Sequence, residues 1–317
     1  MERQAARDAL VRPLAVATCD LDAPIIAGRT PYEPPIALGH ECVAEVVEAA
    51  DGGVERGTLV SVPFQISCGA CERCHRGLTG NCKSVPFLSM YGFGSFGGDW
   101  GGFLSEIVRV PFSDHMLAPL PDGVSAEAAA SVSDNIVDGW RLVAPGLEQW
   151  PGGEVLVAGG SPSIGLYGVQ VALALGADRV VYCDVEGERL RKAEELGAEV
   201  VDGYPERLGP FPITAMVSGA PAALALAARS TAADGICTCA GIVFQPETPI
   251  PLLEMYTKII TFRTGRPHAR PAIPRVLELI AEGRLRPELV TDRVLAWDDA
   301  PAALADNPGK LVFSRAA

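Results

Sequence analysis

Four cysteines, Cys68, Cys71, Cys74 and Cys82, lie within the stretch SCGACERCHRGLTGNC at the spacing C-x2-C-x2-C-x7-C. Four thiolates from one short loop make a tetrahedral zinc set. Such a set fills every position on the metal, so it staples a loop and leaves no room for a substrate. A zinc ion that does chemistry needs about three protein ligands of mixed type and one open position. Cys19 in ATCDLD, and His40 and Glu41 in LGHECVAEVV, are residues of the right types. A lone cysteine is also an ordinary small buried hydrophobe, so residue type alone does not decide their role. Cys42, Cys183, Cys237 and Cys239 read as core filler.

A second chemistry is suggested by GGSPSIG at 159–165. The dinucleotide fingerprint G-x-G-x-x-G sits at a strand-to-helix turn, where its glycines allow a tight turn and close approach of backbone to pyrophosphate. Gly160 and Gly165 occupy the outer positions here, and Pro162 takes the middle one. Ser163 and Ile164 belong to the same turn and are assigned to the coenzyme site. Asp184 ends the next apolar run, where a carboxylate accepts from adenosine ribose hydroxyls and repels a 2′-phosphate. NAD is therefore expected, with NADP disfavoured. Asp184 is also placed to cap the following helix. Arg189 is read as near the ribose or on a solvated helix face. Gly219 and Gly241, which close two later apolar runs, are assigned to the same coenzyme site.

These residues need elements to hold them. Residues 11–118 read as short strands broken by Gly and Pro, for example around Val43–Val47, Leu59–Val62 and Leu104–Val110. From Ser125 the texture changes. Apolar runs at 154–160, 178–184, 213–219 and 234–241 read as buried strands. Helical patterns at 164–177 and 186–198 lie between them, the second with Leu190, Ala193 and Leu196 on one face. That alternation predicts a doubly wound parallel sheet with helices on both faces. An amphipathic helix at 273–285 follows, then a strand, a short helix and a closing strand in KLVFS.

The chain has 317 residues and a formal net charge of −13, which fits two domains and disfavours nucleic acid as a partner. No apolar run is long enough to span a bilayer. The charged start MERQAARDAL lacks a secretory signal, and nine cysteines suit metal binding in a reducing compartment. We expect a cytoplasmic protein with no membrane partner.

GHE before an apolar strand, then the four-cysteine lobe, then the dinucleotide turn, in that order, resembles the zinc-dependent medium-chain alcohol dehydrogenases. The resemblance runs from about Val11 onward. It implies an α/β chain with a GroES-like, mainly-β catalytic domain (1–135, with 271–317 returning to it) and a Rossmann NAD-binding domain (136–270). It implies two zinc ions per chain, one structural and one catalytic. Cys19 and His40 fall on catalytic-zinc ligands, Asp22 on the acidic residue that supports the histidine, and Glu41 on a neighbour that approaches the metal. SDNIVDGW puts Asp134 at the third ligand position, as in formaldehyde-dehydrogenase-type members; Asp134 is also placed as a helix N-cap. Zinc then polarises the alcohol or carbonyl oxygen, and hydride passes to or from nicotinamide C4. Substrates are small alcohols, aldehydes or ketones, and a homodimer or homotetramer is usual; sheet continuation through GICTCAGIV is one route to a dimer.

The chain departs from the family at defined points. Leu21 and Pro24 stand where other members place a hydroxyl and a histidine that relay protons. Asp138 replaces a threonine near the nicotinamide. We expect protons to leave through Asp20, Glu41 or Asp138 with water; His115 is set aside because it sits close to an expected surface turn. Only 18 residues precede Cys19, so loss of leading strands and an exposed strand edge are expected. The glycine-rich segment 91–103, with Tyr91, Phe93, Phe96 and Trp100, reads either as a pocket wall or as core. Two other functions are weighed: a zinc-stapled binding protein that has lost activity, and an NADPH-dependent quinone or enoyl reductase. The second class lacks both GHE and the lobe.

Overall fold

A computed structural model describes every residue except Met1, Arg3, Asn307, Pro308 and Ala317. The chain divides into two compact units. One comprises Met1–Val137 and Pro267–Ala317, the other Asp138–Arg266.

The first unit contains β1 (Ala9–Ala17), β2 (Glu41–Glu48), β3 (Leu59–Ser61), β4 (Val108–Val110) and β5 (Ala118–Pro119). The second contains β6 (Val155–Ala158), β7 (Val180–Asp184), β8 (Glu199–Asp202), β9 (Phe211–Met216), β10 (Thr231–Cys239) and β11 (Thr261–Thr264). The chain then returns to the first unit with β12 (Arg293–Ala296) and β13 (Leu311–Ser314).

The first sheet has the order β12-β13-β1-β2-β3-β5, and β4 also pairs with β1. It is antiparallel except for the β12–β13 pair. β1 and β2 bury one face around Val11, Val16, Val46, Val60, Phe103 and Val110. The expected exposed edge does not occur at β1, because β2 lies on one side of it and β13 and β4 on the other. The expected strand at 104–110 is shorter than its apolar pattern: residues 104–107 bend, and pairing starts at Val108.

The second sheet is fully parallel, with order β11-β10-β9-β6-β7-β8. The chain order progresses outward from β6 on both sides, as in a doubly wound sheet, and the switch point lies between β6 and β9. β6 and β7 are buried throughout, which explains why they read as unbroken apolar runs rather than alternating ones. Over 236–239 the segment GICTCAGIV (235–243) offers no free edge for the expected sheet continuation into a dimer. β10 is paired on both sides, by β9 and β11, and has no free ladder for a second copy. Among the described residues no helix is long and apolar enough to cross a membrane.

Candidate functional site

Three side chains distant in sequence converge in the first unit. Cys19 sits just after β1, His40 just before β2, and Asp134 just before the helix Asn135–Gln149. Asp134 Oδ2 lies 3.4 Å from Cys19 Sγ and 3.4 Å from His40 Nε2. The three donor atoms lie within 4.8 Å of one another, and the group could hold a metal ion. A tetrahedral zinc with sulfur, nitrogen and oxygen ligands separates its donors by about 3.3–3.8 Å, given the usual bond lengths.

The local structure explains the convergence. Ser133 Oγ accepts from Cys42 N at 3.0 Å, which fastens the segment before Asp134 to the start of β2. Asp22 accepts from Cys19 N at 2.8 Å and places its other oxygen 3.7 Å from His40 Nδ1. One carboxylate thus holds the Cys19 backbone and faces the His40 imidazole. Gly92 passes so close to His40 that a Cβ there would stand 2.9 Å from the histidine's own Cβ. That approach carries Phe93 against the imidazole at 4.9 Å between centroids, with Phe64 at 5.9 Å. Packing is what the glycine-aromatic segment provides in the described residues. Tyr91 is buried in the core, while Phe93 walls the histidine and Phe96 reaches Tyr32 at 4.6 Å.

The electrostatics also fit a cation. Burial pushes the Cys19 thiol far up, reinforced by the Asp134, Glu41, Asp22 and Asp20 carboxylates. Burial pulls the His40 imidazole down, but Asp134, Asp22 and Glu41 outweigh it and lift the group to about 9. A donor set this rich in anions is short of positive charge. His40 is 1% exposed, and neither ring nitrogen makes a hydrogen bond of good geometry. A buried orphan nitrogen facing a thiol and a carboxylate is what a metal ligand looks like without its ion.

Glu41 is placed otherwise. Its Oε2 meets Lys310 Nζ at 2.6 Å and its Oε1 accepts from Asn135 N at 3.2 Å. Asp138 belongs to the second unit, where Arg141 Nε holds its Oδ1. Asp20, half-buried, accepts from Asn135 Nδ2 at 3.3 Å. Lys310 carried no motif in the sequence. Its one signal is a lysine entering a short apolar closing strand, a pattern that an exposed stem would share.

The four-cysteine lobe forms a second group. Cys68, Cys71, Cys74 and Cys82 bring their sulfurs within 4.8 Å of one another. Cys68 and Cys74 are 4.0 Å apart, Cys71 and Cys82 3.9 Å. Those spacings match the edges of a four-thiolate zinc tetrahedron of about 2.3 Å bonds. Backbone N–H groups of Ala70 and Cys71 point at the Cys68 sulfur, and those of Cys68 and Ser84 at the Cys82 sulfur.

In the second unit, Gly160 adopts φ +114, and its N donates to Asp184 Oδ2 at 2.8 Å. Gly165 sits in the helix Ile164–Ala174, where a Cβ would stand 3.0 Å from Val217, so the glycine permits close helix–sheet packing. Ile164 opens that helix, and Ser163 precedes it fully buried. Gly241 is required by the end of β9, since its Cβ would meet Ser218 O at 2.2 Å; at Gly219 the nearest atom is 3.7 Å away. Asp184 is fully buried. It accepts from Gly160 N, Tyr182 OH and Arg189 Nε on one oxygen, and from Val185 N, Glu186 N and Arg189 Nη2 on the other. Those donors exhaust its lone pairs. The cap of the next helix is Glu186, which accepts from Glu188 N and Arg189 N. Tyr182 and Tyr204, both missed in the sequence, brace the glycine turn from below through Asp184 and Gly159 O. Ser161 Oγ is buried there without a partner, and the turn fits a phosphate-bearing ligand.

Known proteins share this arrangement. Residues 5–122 match the alcohol dehydrogenase GroES-like domain, and residues 163–282 match the zinc-binding dehydrogenase family. A glutathione-independent formaldehyde dehydrogenase of Pseudomonas aeruginosa is 35% identical over 210 residues, which cover 63% of this chain and 52% of that protein. The chain thus matches about half the length of that relative. A probable zinc-binding alcohol dehydrogenase of Mycobacterium tuberculosis is 27% identical over 93% of this chain and 77% of its own. A solved alcohol dehydrogenase from Thermus sp. ATN1 superposes with a TM-score of 0.86 at 30% identity, covering 99% of this chain and 94% of that one. Two family models, a full-length structural match and two metal-fitting groups agree, and the chain belongs to the zinc-dependent medium-chain alcohol dehydrogenases.

Proposed function

We propose that the chain is a zinc- and NAD-dependent alcohol dehydrogenase, with Cys19, His40 and Asp134 as catalytic-zinc ligands and the four-cysteine lobe as a structural zinc site. The convergence of Cys19 Sγ, His40 Nε2 and Asp134 Oδ2 carries this reading. Zinc bound there supplies Lewis acidity toward an alcohol or carbonyl oxygen, and NAD supplies the hydride acceptor.

The chain's own residues do the rest. Asp22 fixes the Cys19 backbone and places a carboxylate oxygen beside His40 Nδ1. Phe64 and Phe93 keep water from one side of the imidazole, which strengthens electrostatic interactions beside it. Leu21 and Pro24 hold no proton. Glu41 is engaged by Lys310, Asp138 by Arg141 and Asp20 by Asn135 Nδ2; of the three, Asp20 is held by a neutral amide rather than a cation and is assigned, with water, as the exit for the proton. We assign the Arg189 side chain, 21% exposed over Asp184, to donate to ribose hydroxyls. Glu186, with its side chain 45% exposed beside it, disfavours a 2′-phosphate. Arg189→Ala should weaken NADH binding about tenfold, read by fluorescence titration. Unchanged NADH affinity removes Arg189 from the ribose site.

Substrates are small alcohols, aldehydes or ketones. The nine free thiols fit a reducing compartment such as the cytoplasm. A homo-oligomer is expected; continuation of the parallel sheet would use its edge strands β8 or β11. The test is NAD reduction over an alcohol panel together with metal analysis. Two zincs per chain with turnover support the dehydrogenase. One zinc without turnover favours a zinc-stapled binding protein, a reading that the missing relay side chains keep in play.

A further inference from the structure

Lys310 is 1% exposed and Glu41 is not exposed at all. Burying an ammonium and a carboxylate together is costly, and a well-packed apolar pair commonly serves a fold as well. What the two groups join gives a reason for them. Lys310 Nζ donates to Thr18 O and to Glu41 Oε2, the latter at 2.6 Å. Glu41 Oε1 accepts from Asn135 N at 3.2 Å. Thr18 precedes Cys19, Glu41 follows His40, and Asn135 follows Asp134. Each ligand-bearing segment is therefore gripped one residue away from its ligand by the same ion pair. Asn135 Nδ2 closes the ring by donating to Asp20 Oδ1, the residue after Cys19.

Lys310 is itself fixed from behind. Its N donates to Asp292 Oδ2 at 2.6 Å. Thr18 N and Leu311 O, and Leu311 N and Thr18 Oγ1, pair at 2.9 Å each. Gly309 comes so close to Asp292 that a Cβ would meet its Oδ2 at 2.0 Å. The closing strand is thus registered against Cys19's own segment before the lysine reaches inward.

We propose that Lys310 is a positioning residue for the Cys19–His40–Asp134 metal site, acting through Glu41 to hold three distant backbone segments at ligand spacing. This deepens the proposed function and rests on that metal assignment. Lys310→Met alone strands a buried carboxylate and is expected to fold poorly, so the informative variant is K310M/E41Q, which removes both charges and keeps the volume. Zinc affinity is read by chelator competition on the full chain, with the lobe as an internal control, and folding by circular dichroism and melting of the zinc-free protein. The expected result is a folded double variant whose non-lobe zinc binds about 10–100-fold more weakly while the lobe zinc is unchanged. A folded double variant that holds both zincs with wild-type affinity overturns the proposal and leaves the metal assignment standing. Wild-type protein with the lobe zinc only overturns the metal assignment, and the proposal with it. If the double variant does not fold, Glu41→Gln alone supplies the second reading. It removes the carboxylate that Lys310 Nζ engages while keeping an oxygen for Asn135 N, and is expected to weaken the same zinc selectively; unchanged affinity counts against the proposal.

Discussion

The four-cysteine lobe and the Cys19–His40–Asp134 group each bring metal-binding side chains within 4.8 Å, yet they are built in opposite ways. The lobe draws all its sulfurs from Cys68–Cys82 and steadies them with N–H groups from the same loop. The other group reaches across 115 residues from Cys19 to Asp134. It depends on a lysine 269 residues from its partner Glu41. A local site carries its own scaffold. A non-local one borrows its scaffold from the fold, so it is sensitive to residues that never touch the metal.

The largest effect should come from the lobe. A structural zinc of this kind contributes on the order of 10 kcal/mol of binding free energy to folding. Cys74→Ser should lose one zinc and make residues 65–90 sensitive to limited proteolysis, with a marked fall in melting temperature. A lobe that stays protected without its metal would erase the contrast drawn here.

His40→Ala and Asp134→Asn should act on function instead. Each should lose the other zinc and at least about 100-fold in turnover, while melting shifts by only a few degrees. Metal analysis beside a melting curve separates the two patterns, and a collapse in stability would show that both sites are structural.

pH should sharpen the difference. In the lobe, hydrogen bonds from the Lys83 and Cys74 backbone pull the Cys71 thiol down to about 6, and Cys68 is lowered too, although burial raises Cys74 and Cys82. In the other group both proton-bearing ligands are raised, His40 to about 9. Zinc must displace both protons there, so its affinity should fall by up to about 100-fold per pH unit below 9. Cys74 and Cys82 in the lobe must lose protons as well, so it is four protein ligands against three, not a difference in pH slope, that should make this zinc leave before the lobe zinc between pH 8 and 6. Without zinc the sign for folding reverses. His40, raised above its unfolded value, stabilises the zinc-free chain below about 6.5, and that contribution is lost as pH rises through about 9. The smallest effect should be at Asp138. Asp138→Ala should leave the pH–rate profile unchanged, because Arg141 already holds that carboxylate.

The same contrast explains what could be read without coordinates. The C-x2-C-x2-C-x7-C spacing is its own geometry. The doubly wound sheet was legible because buried parallel strands and amphipathic helices have distinct periods. Cys19, His40 and Asp134 became legible only in order, through a family pattern, since no local rule brings residue 19 to residue 134. Lys310 was illegible, because a lysine's partner is decided by packing between strands far apart in sequence. At Asp184 the sequence supports a ribose acceptor or a helix cap, and neither shows that Arg189, in the first turn of the next helix, reaches back to cover the carboxylate. For GICTCAGIV (235–243) an edge or a central position depends on where β11 docks, which the segment itself does not encode.

The most direct measurement is zinc per chain in the wild type and in His40→Ala, each purified without added metal. Two zincs in the wild type and one in the variant are expected. One zinc in both would contradict a second metal site at Cys19, His40 and Asp134.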